Sequence, residues 1–317
     1  MYRKLFFPIL FSLFYSCSSA PLYLARQGTQ FGFTDEEGIF QISPQFEEAF
    51  PFREDRARVK IGAYFGFINR SGRIVINPRF EEASDFYSGL ARVKLNGKWG
   101  YLRPNGNFAI EPVYESVYDF SEGLARVFEG GRCGYINLSG KMQISLQFEY
   151  CDDFKEGLAS IKLNDKYGYI NFSGKMLIKP QFSFAAAYSE GYAMIMEKNR
   201  FGFIDKRGNF IVNPVYRYAG SFSEGLVRVC EDKKWSYINY EGKEVIPPQF
   251  QFARDFANGL AAVQLGDKWA FINREGKILI NPLYSEAGDF QEERAFVRLD
   301  AVPGFINKEG KFFPLKK

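Results

Sequence analysis

Histidine is absent from all 317 residues. The commonest general acid/base near neutral pH and the commonest metal ligand are therefore missing. Ser-His-Asp and Cys-His catalysis, the HExxH metalloprotease helix and Cys/His zinc fingers are excluded with it. An excess of one charge is lacking too: 41 Lys and Arg against 37 Asp and Glu give +4, with the signs interspersed. No basic run or face is visible, so the charge reads as a solvated surface and nucleic acid is not an expected partner. Apolar runs are short. Leu5 to Tyr15 is eleven residues, too few to span a bilayer. Cysteine is scarce, with Cys17, Cys133, Cys151 and Cys230 and no CxxC spacing. Setting Cys17 aside leaves an odd three, expected to be small, partly buried thiols rather than a disulfide framework or a metal cluster.

Rings are what the chain has in surplus: 35 Phe, 19 Tyr and 3 Trp, 18% of the residues. Their arrangement is periodic. Gly32, Gly66, Gly100, Gly134, Gly168 and Gly202, then Ser236, Ala270 and Gly304, stand 34 residues apart without insertion or deletion across nine units. An aromatic residue follows each, among them Phe33, Tyr101, Tyr135, Tyr169 and Tyr237. Six residues after each anchor comes another glycine, Gly38 to Gly310, again at every unit. The three segments Lys98-Trp99-Gly100-Tyr101, Lys234-Trp235-Ser236-Tyr237 and Lys268-Trp269-Ala270-Phe271, set in this frame, resemble the WG or KWG repeat of bacterial exported proteins. The likeness covers about residues 22 to 317 and implies a β-repeat protein without known catalysis. Paired helices of the same period do not suit nine glycines and a proline per unit.

The N-terminus divides into a basic start (Met1 to Lys4), an apolar stretch and Ser16-Cys17-Ser18-Ser19, the layout of a secretory signal. Leu13-Phe14-Tyr15-Ser16-Cys17 resembles a bacterial lipobox, which implies cleavage before Cys17 and lipidation of its thiol. The expected organisation is residues 1–16 as signal peptide, 17–30 as lipidated cysteine and lead-in, and 31–317 as a nine-unit array. Loss of Arg3 and Lys4 leaves a mature excess of +2. The expected location is the bacterial envelope, with the lipid as the membrane contact.

Within a unit, Leu90 to Leu95 alternates as a strand, Asn96-Gly97 is a strong hairpin signal, and Lys98 to Arg103 returns. A three-residue loop ends in Gly106, where the bulge needs a positive φ. The anchor glycine is different. Ser236 and Ala270 replace it, so smallness and not φ is its requirement. A third strand covers Asn107 to Ile110, and Glu111 to Phe120 reads as an irregular connector. Ala91, Val93, Gly100, Leu102, Phe108 and Ile110 share one apolar face. The opposite face carries Trp99 and Tyr101 beside Arg92 and Lys94, with a variable third-strand position (Gln41, Val75, Ala109, Gln143, Leu177).

The expected fold is all-β: tandem three-stranded antiparallel meanders in an open β-solenoid, with a β-propeller as the alternative. Thirty-four residues are short for a four-stranded blade and nine units exceed the usual number. Pro303 and the Lys311 to Lys317 tail suit a capped end.

The acidic column Glu122, Glu156, Glu190, Glu224 and Glu292 recurs like a turn residue, whereas glycosidic catalysis needs two unequal carboxylates in a cleft. No Asp-rich cation loop, GxGxxG or phosphate loop is present, so no cofactor or metal is expected. The candidate binding face is Trp99, Tyr101, Trp235, Tyr237 and Trp269 with Arg92, Arg126 and Arg228, since rows of rings tuned by cations stack sugars or anchor peptides. Burial of the tyrosine column beneath a neighbouring unit would remove it from that face. The expected function is a non-catalytic interaction scaffold binding protein, with carbohydrate or cell-wall binding as the alternative.

Overall fold

The computed structural model describes residues 20–315, which form strands and turns without a helix. Cys17 and the signal segment lie outside the described residues. The chain divides into two compact units, Met1–Val113 and Tyr114–Lys317. The first holds a three-stranded sheet followed by two four-stranded sheets, the last of whose strands ends at Tyr114. The second holds six four-stranded sheets. All are antiparallel with neighbouring strands in chain order.

One sheet of the first unit illustrates the local rules. Its strands are Glu82–Ala83, Ala91–Leu95, Lys98–Leu102 and Phe108–Tyr114. Leu95 pairs with Lys98 across a turn in which Asn96 and Gly97 both have positive φ, 52° and 75°. That is the primed turn whose twist matches the strands. The later glycine column also has positive φ throughout, 86° at Gly106.

Smallness at the anchor column has a definite cause. The fourth strand bulges where it passes the anchor: Cys133 opposes Phe148 but Tyr135 opposes Ile144. A Cβ on Gly100 would lie 2.5 Å from the Ile110 oxygen and 2.7 Å from the Pro112 nitrogen. A bulged edge strand also tolerates the recurrent proline, which has no N–H to donate.

Beyond the three-stranded first sheet, each meander carries an additional strand that the sequence pattern does not announce. Ser116–Val117, expected as irregular connector, pairs with Phe128 and Val127 of the following sheet. The fourth strand of one sheet runs into the first strand of the next with only Glu115 between them. The chain changes sheets at that residue, so inward positions there do not alternate and the segment looks irregular in sequence.

The core is built between consecutive sheets. In the first unit Phe67, Ile76 and Phe80 of one sheet pack with Ala83, Phe86, Ala91, Val93 and Leu102 of the next. In the second unit Leu260, Phe271, Ile280 and Tyr284 meet Ala287, Phe290, Val297 and Ile306. Each fully buried side chain of this size contributes about 1.5–3 kcal/mol. A sheet flanked by two others is therefore dry on both faces, whereas the sequence suggested one dry face and one open. The cysteines also differ from expectation. Cys133 and Cys151 form a disulfide between adjacent sheets, with Cα atoms 6.0 Å apart, and Cys230 is a buried free thiol. Cys133 stands in the column of rings before the anchor and Cys151 in the alanine column it packs against. Each fits its own repeat position, so only the stacking of the sheets reveals that the two thiols meet.

Candidate binding face

The tyrosines of the candidate face are interior. Tyr101 and Tyr237 are 1% and 0% exposed, as are their equivalents Tyr135 and Tyr169 at 0%. The hydroxyls of Tyr135, Tyr169 and Tyr237 donate to the backbone oxygens of Asp152, Ala186 and Arg254 at 2.6–2.7 Å, tying each sheet to the next. Burial pushes these phenols well above their ordinary pKa. A ring under a neighbouring sheet cannot stack on a ligand, so the column leaves the face.

The arginines likewise act between sheets. Arg126 donates to the Cys151 oxygen at 2.9 Å, pairs with Asp153 at 2.9 Å and lies 3.8 Å over the Tyr118 ring. Arg228 repeats this with the Ala253 oxygen and Asp255, both at 2.8 Å. Arg58 holds the Ala83 oxygen and Asp85 in the first unit. Arg92 belongs to the same column and is half-buried.

The three tryptophans separate. Trp99, in the first unit, is half-buried beside Lys94, whose ammonium pairs with Glu82 at 2.8 Å. Trp235 is 8% exposed and Trp269 is half-buried. These last two belong to a longer arrangement. Tyr150, Tyr167, Phe184 and Phe201 form one run of ring contacts, with centroids 5.8, 5.8 and 6.5 Å apart. Tyr218, Trp235, Phe252 and Trp269 form another, at 6.3, 5.5 and 5.7 Å. All eight are in the second unit, and successive rings are 17 residues apart, half a repeat.

Sheet register explains the spacing. Phe252 and Trp269 both oppose Gln264, one from each neighbouring strand, and so project from the same face. Tyr150 and Tyr167 flank Lys162 in the same way. Contacts thus alternate between rings within a sheet and rings of consecutive sheets. Tyr150, Tyr218 and Phe252 are exposed, at 36%, 53% and 39%. Arg228 lies 5.0 Å from the Trp235 ring and Arg254 lies 5.6 Å from Trp269, within cation–π range. In the first unit the short-strand positions are Glu48 and Glu82, paired with Lys60 and Lys94, and no ring row forms among its described residues. Reading the sequence for a face missed Tyr150, Phe184, Tyr218 and Phe252 because they occupy the supposed connector. The available signal was their half-repeat offset from the Trp column.

The acidic column has a structural role. Glu122 and Gly123, at φ 50° and 86°, form a two-residue turn of the primed kind, and the pattern recurs at Glu190-Gly191 and Glu224-Gly225. A left-handed glutamate is unfavourable by itself. Its carboxylate, however, reaches the next turn along the array. Glu122 accepts from the amides of Glu156 and Gly157, both at 2.9 Å, and Glu190 from those of Glu224 and Gly225 at 2.7 and 2.9 Å. Glu54, Glu156 and Glu224 reach Gly89, Gly191 and Gly259. Burial works to raise the Glu190 pKa, but these amides and the Tyr240 hydroxyl outweigh it and hold the carboxyl below its ordinary value. These side chains are spent on joining sheets. Among the described residues no group of three or more Cys, Asp or Glu is gathered as a metal ion would need.

The WG-containing repeat model matches residues 31–64, 65–99, 99–133, 134–167, 167–200, 201–235, 235–269 and 269–301. The chain belongs to the WG-containing repeat family. A search of curated proteins finds no match. Among solved structures this WG-repeat chain is similar to a eukaryotic initiation factor at 9% identity, covering 94% of this chain and 97% of that one with a TM-score of 0.57. That likeness is one of fold alone. Weaker likenesses include Hsv2p of Kluyveromyces lactis (8% identity, 72% and 94% covered, TM-score 0.43). PorZ of Porphyromonas gingivalis, a surface component of the type-IX secretion system, is another (12% identity, 94% and 51% covered, TM-score 0.31).

Proposed function

We propose that this WG-repeat protein is a non-catalytic interaction scaffold that binds protein through the ring rows of its second unit. The observation carrying the reading is the row itself: eight rings at half-repeat spacing, three of them exposed, with Arg228 and Arg254 beside them. Half-exposed rings supply contact area at low entropic cost and are the usual anchors of an interface. The carboxylates of Glu122, Glu156, Glu190 and Glu224 and the guanidinia of Arg58, Arg126 and Arg228 have partners in the neighbouring sheets. Display on a bacterial envelope through lipidated Cys17 completes the proposal, and we read the array as an open solenoid rather than a propeller. That preference rests on the nine-unit count, which exceeds the usual number of blades.

The deciding experiment compares wild type with a Tyr218→Ala/Phe252→Ala/Trp269→Ala variant of native circular dichroism. Envelope proteins retained by wild type and lost by the variant support protein binding. Retention of a defined glycan on an array, lost by the same variant, replaces that reading with carbohydrate binding. Detergent partitioning of wild type and Cys17→Ala tests the anchor, with equal partitioning refuting it. Small-angle scattering tests the array, a compact ring-like distance distribution refuting the solenoid.

A further inference from the structure

One unit departs from the repeat at the hairpin that joins its middle strands. In the sheet of Tyr218–Ala219, Val227–Cys230, Trp235–Ile238 and Glu244–Phe250, pairing of those two strands ends at Cys230 and Trp235. Four residues, Glu231 to Lys234, are left unpaired where other units turn on two, as Leu95 and Lys98 do around Asn96-Gly97. Every other such turn holds at least one left-handed residue, from Gly28 to Asp300-Ala301, and Asp232-Lys233 holds none. The loop borders an open cavity of about 620 Å³, within the ~300–1,000 Å³ of small-molecule sites.

Two substitutions in the repeat columns coincide with this loop. Arg217 stands in the sheet-changing column that holds Glu47, Glu81, Glu115 and Glu149, and its amide makes the bond usual there, to the Cys230 oxygen. Glu81 and Glu149 turn their carboxylates onto hairpin amides, at 3.1 Å from Gly97 and at 2.9 and 3.1 Å from Asn164 and Asp165. Arg217 brings a guanidinium to the column from which those units draw the capping anion. Glu244 stands in a column that is otherwise apolar, with Phe40, Ile74, Met142, Phe210 and Ile278 among its members. Both line the cavity with Glu231, Asp232, Lys233 and Lys234, so it is edged by three cations and three anions. None of the six has an ion-pair partner among the described residues. Burial and the charges of Glu231 and Glu244 raise the pKa of Tyr216, which also lines the cavity, so both carboxylates lie near one phenol.

We propose that this cavity binds a short zwitterionic peptide, its terminal ammonium held by Glu231 and Glu244 beside Tyr216 and its terminal carboxylate by Arg217 with Lys233 and Lys234. Carboxylates next to an aromatic ring suit an ammonium, and a guanidinium takes a carboxylate through two parallel bonds. A ligand of one sign is opposed here: a simple anion meets Glu231 and Glu244, and a simple cation meets Arg217. The site is independent of the ring rows proposed above, since none of its residues lies in them.

Titration calorimetry of the full-length chain with trialanine tests this, with N-acetyl-trialanine and trialanine amide as singly blocked probes. Trialanine should bind, and blocking either end should weaken it about ten-fold, the loss of one charge-assisted contact. Arg217→Glu and Glu244→Ile return each position to a residue its column carries in other units, so both variants should keep the wild-type circular dichroism. Arg217→Glu should weaken trialanine about ten-fold yet leave the amide at its wild-type affinity, because the contact that amidation removes is already gone. Glu244→Ile should likewise weaken trialanine while leaving N-acetyl-trialanine close to its wild-type affinity. Absence of trialanine binding, equal binding of free and blocked peptides, or a loss on blocking one end alone overturns the inference. Either folded variant binding trialanine as wild type does overturns it too.

Discussion

Replacing Glu190 by alanine removes one rung of the carboxylate ladder without touching the apolar core. The side chain accepts from the Glu224 amide at 2.7 Å, the Gly225 amide at 2.9 Å and the Tyr240 hydroxyl at 2.8 Å. A hydrogen bond to a charged group contributes about 1.5–3 kcal/mol when well shielded. These are surface bonds and water replaces part of each, so we expect a loss of about 2 kcal/mol for the set. By the tenfold-per-1.4 kcal/mol relation that is roughly 30-fold in a local opening equilibrium. Native-state hydrogen exchange is the proper assay, because stability along a repeat array is local and a single unfolding midpoint averages over it. The amides of Glu224 and Gly225 should exchange roughly 30-fold faster in Glu190→Ala, while amides several sheets away keep their rates. Glu292→Ala is the matched control. It has the same residue type and a left-handed φ of 54° but no receiving turn among the described residues, so it should change nothing beyond its own turn. Equal effects at Glu190 and Glu292 would show that the turn conformation matters and the ladder does not, refuting the assignment.

Four further outcomes follow from the same geometry. The Tyr240 phenol, pushed up to about 12 by burial and its bond to Glu190, should titrate there by ultraviolet absorbance and fall back toward 10 in Glu190→Gln. Glu190 itself has a folded pKa below its ordinary 4.5, so its stabilisation is present above that value and disappears as the pH falls through the folded pKa. Acid-unfolding curves of wild type should therefore be steeper than those of Glu190→Gln. Reducing the Cys133–Cys151 bond, which closes an 18-residue separation, should cost about 3 kcal/mol in urea titration of the surrounding sheets. Gly168→Ala would bring a Cβ to 2.5 Å from the Ile178 oxygen and should cost ~1–3 kcal/mol, read from the urea midpoint.

The legible parts of the molecule were those encoded within one repeat. Asn96-Gly97 specified its hairpin and register, and the Gly106 column its positive φ, because local sterics decide both. Alanine and serine in the anchor column revealed a demand for space even before the bulged strand that creates it was seen. The candidate face was less legible. Tyr101 and Tyr237 alternate outward from a single sheet, and only the stacked neighbour makes outward mean interior. Arg126 and Arg228 look like surface cations until Cys151, Asp153, Ala253 and Asp255 are brought to them from the following sheet.

The sequence by itself determined a histidine-free, nine-fold β repeat with fixed turns and an apolar stripe per unit, since these depend on residues a few positions apart. The tertiary structure decided which rings meet solvent, which carboxylates are spent between turns, and which two cysteines bond. Those depend on contacts about 17 or 34 residues apart, where a repeat's side chain acquires its role from the sheet stacked against it. The surplus of aromatic residues divides accordingly: most rings fill the spaces between sheets, and in the Tyr150 to Trp269 rows Tyr150, Tyr218 and Phe252 are exposed.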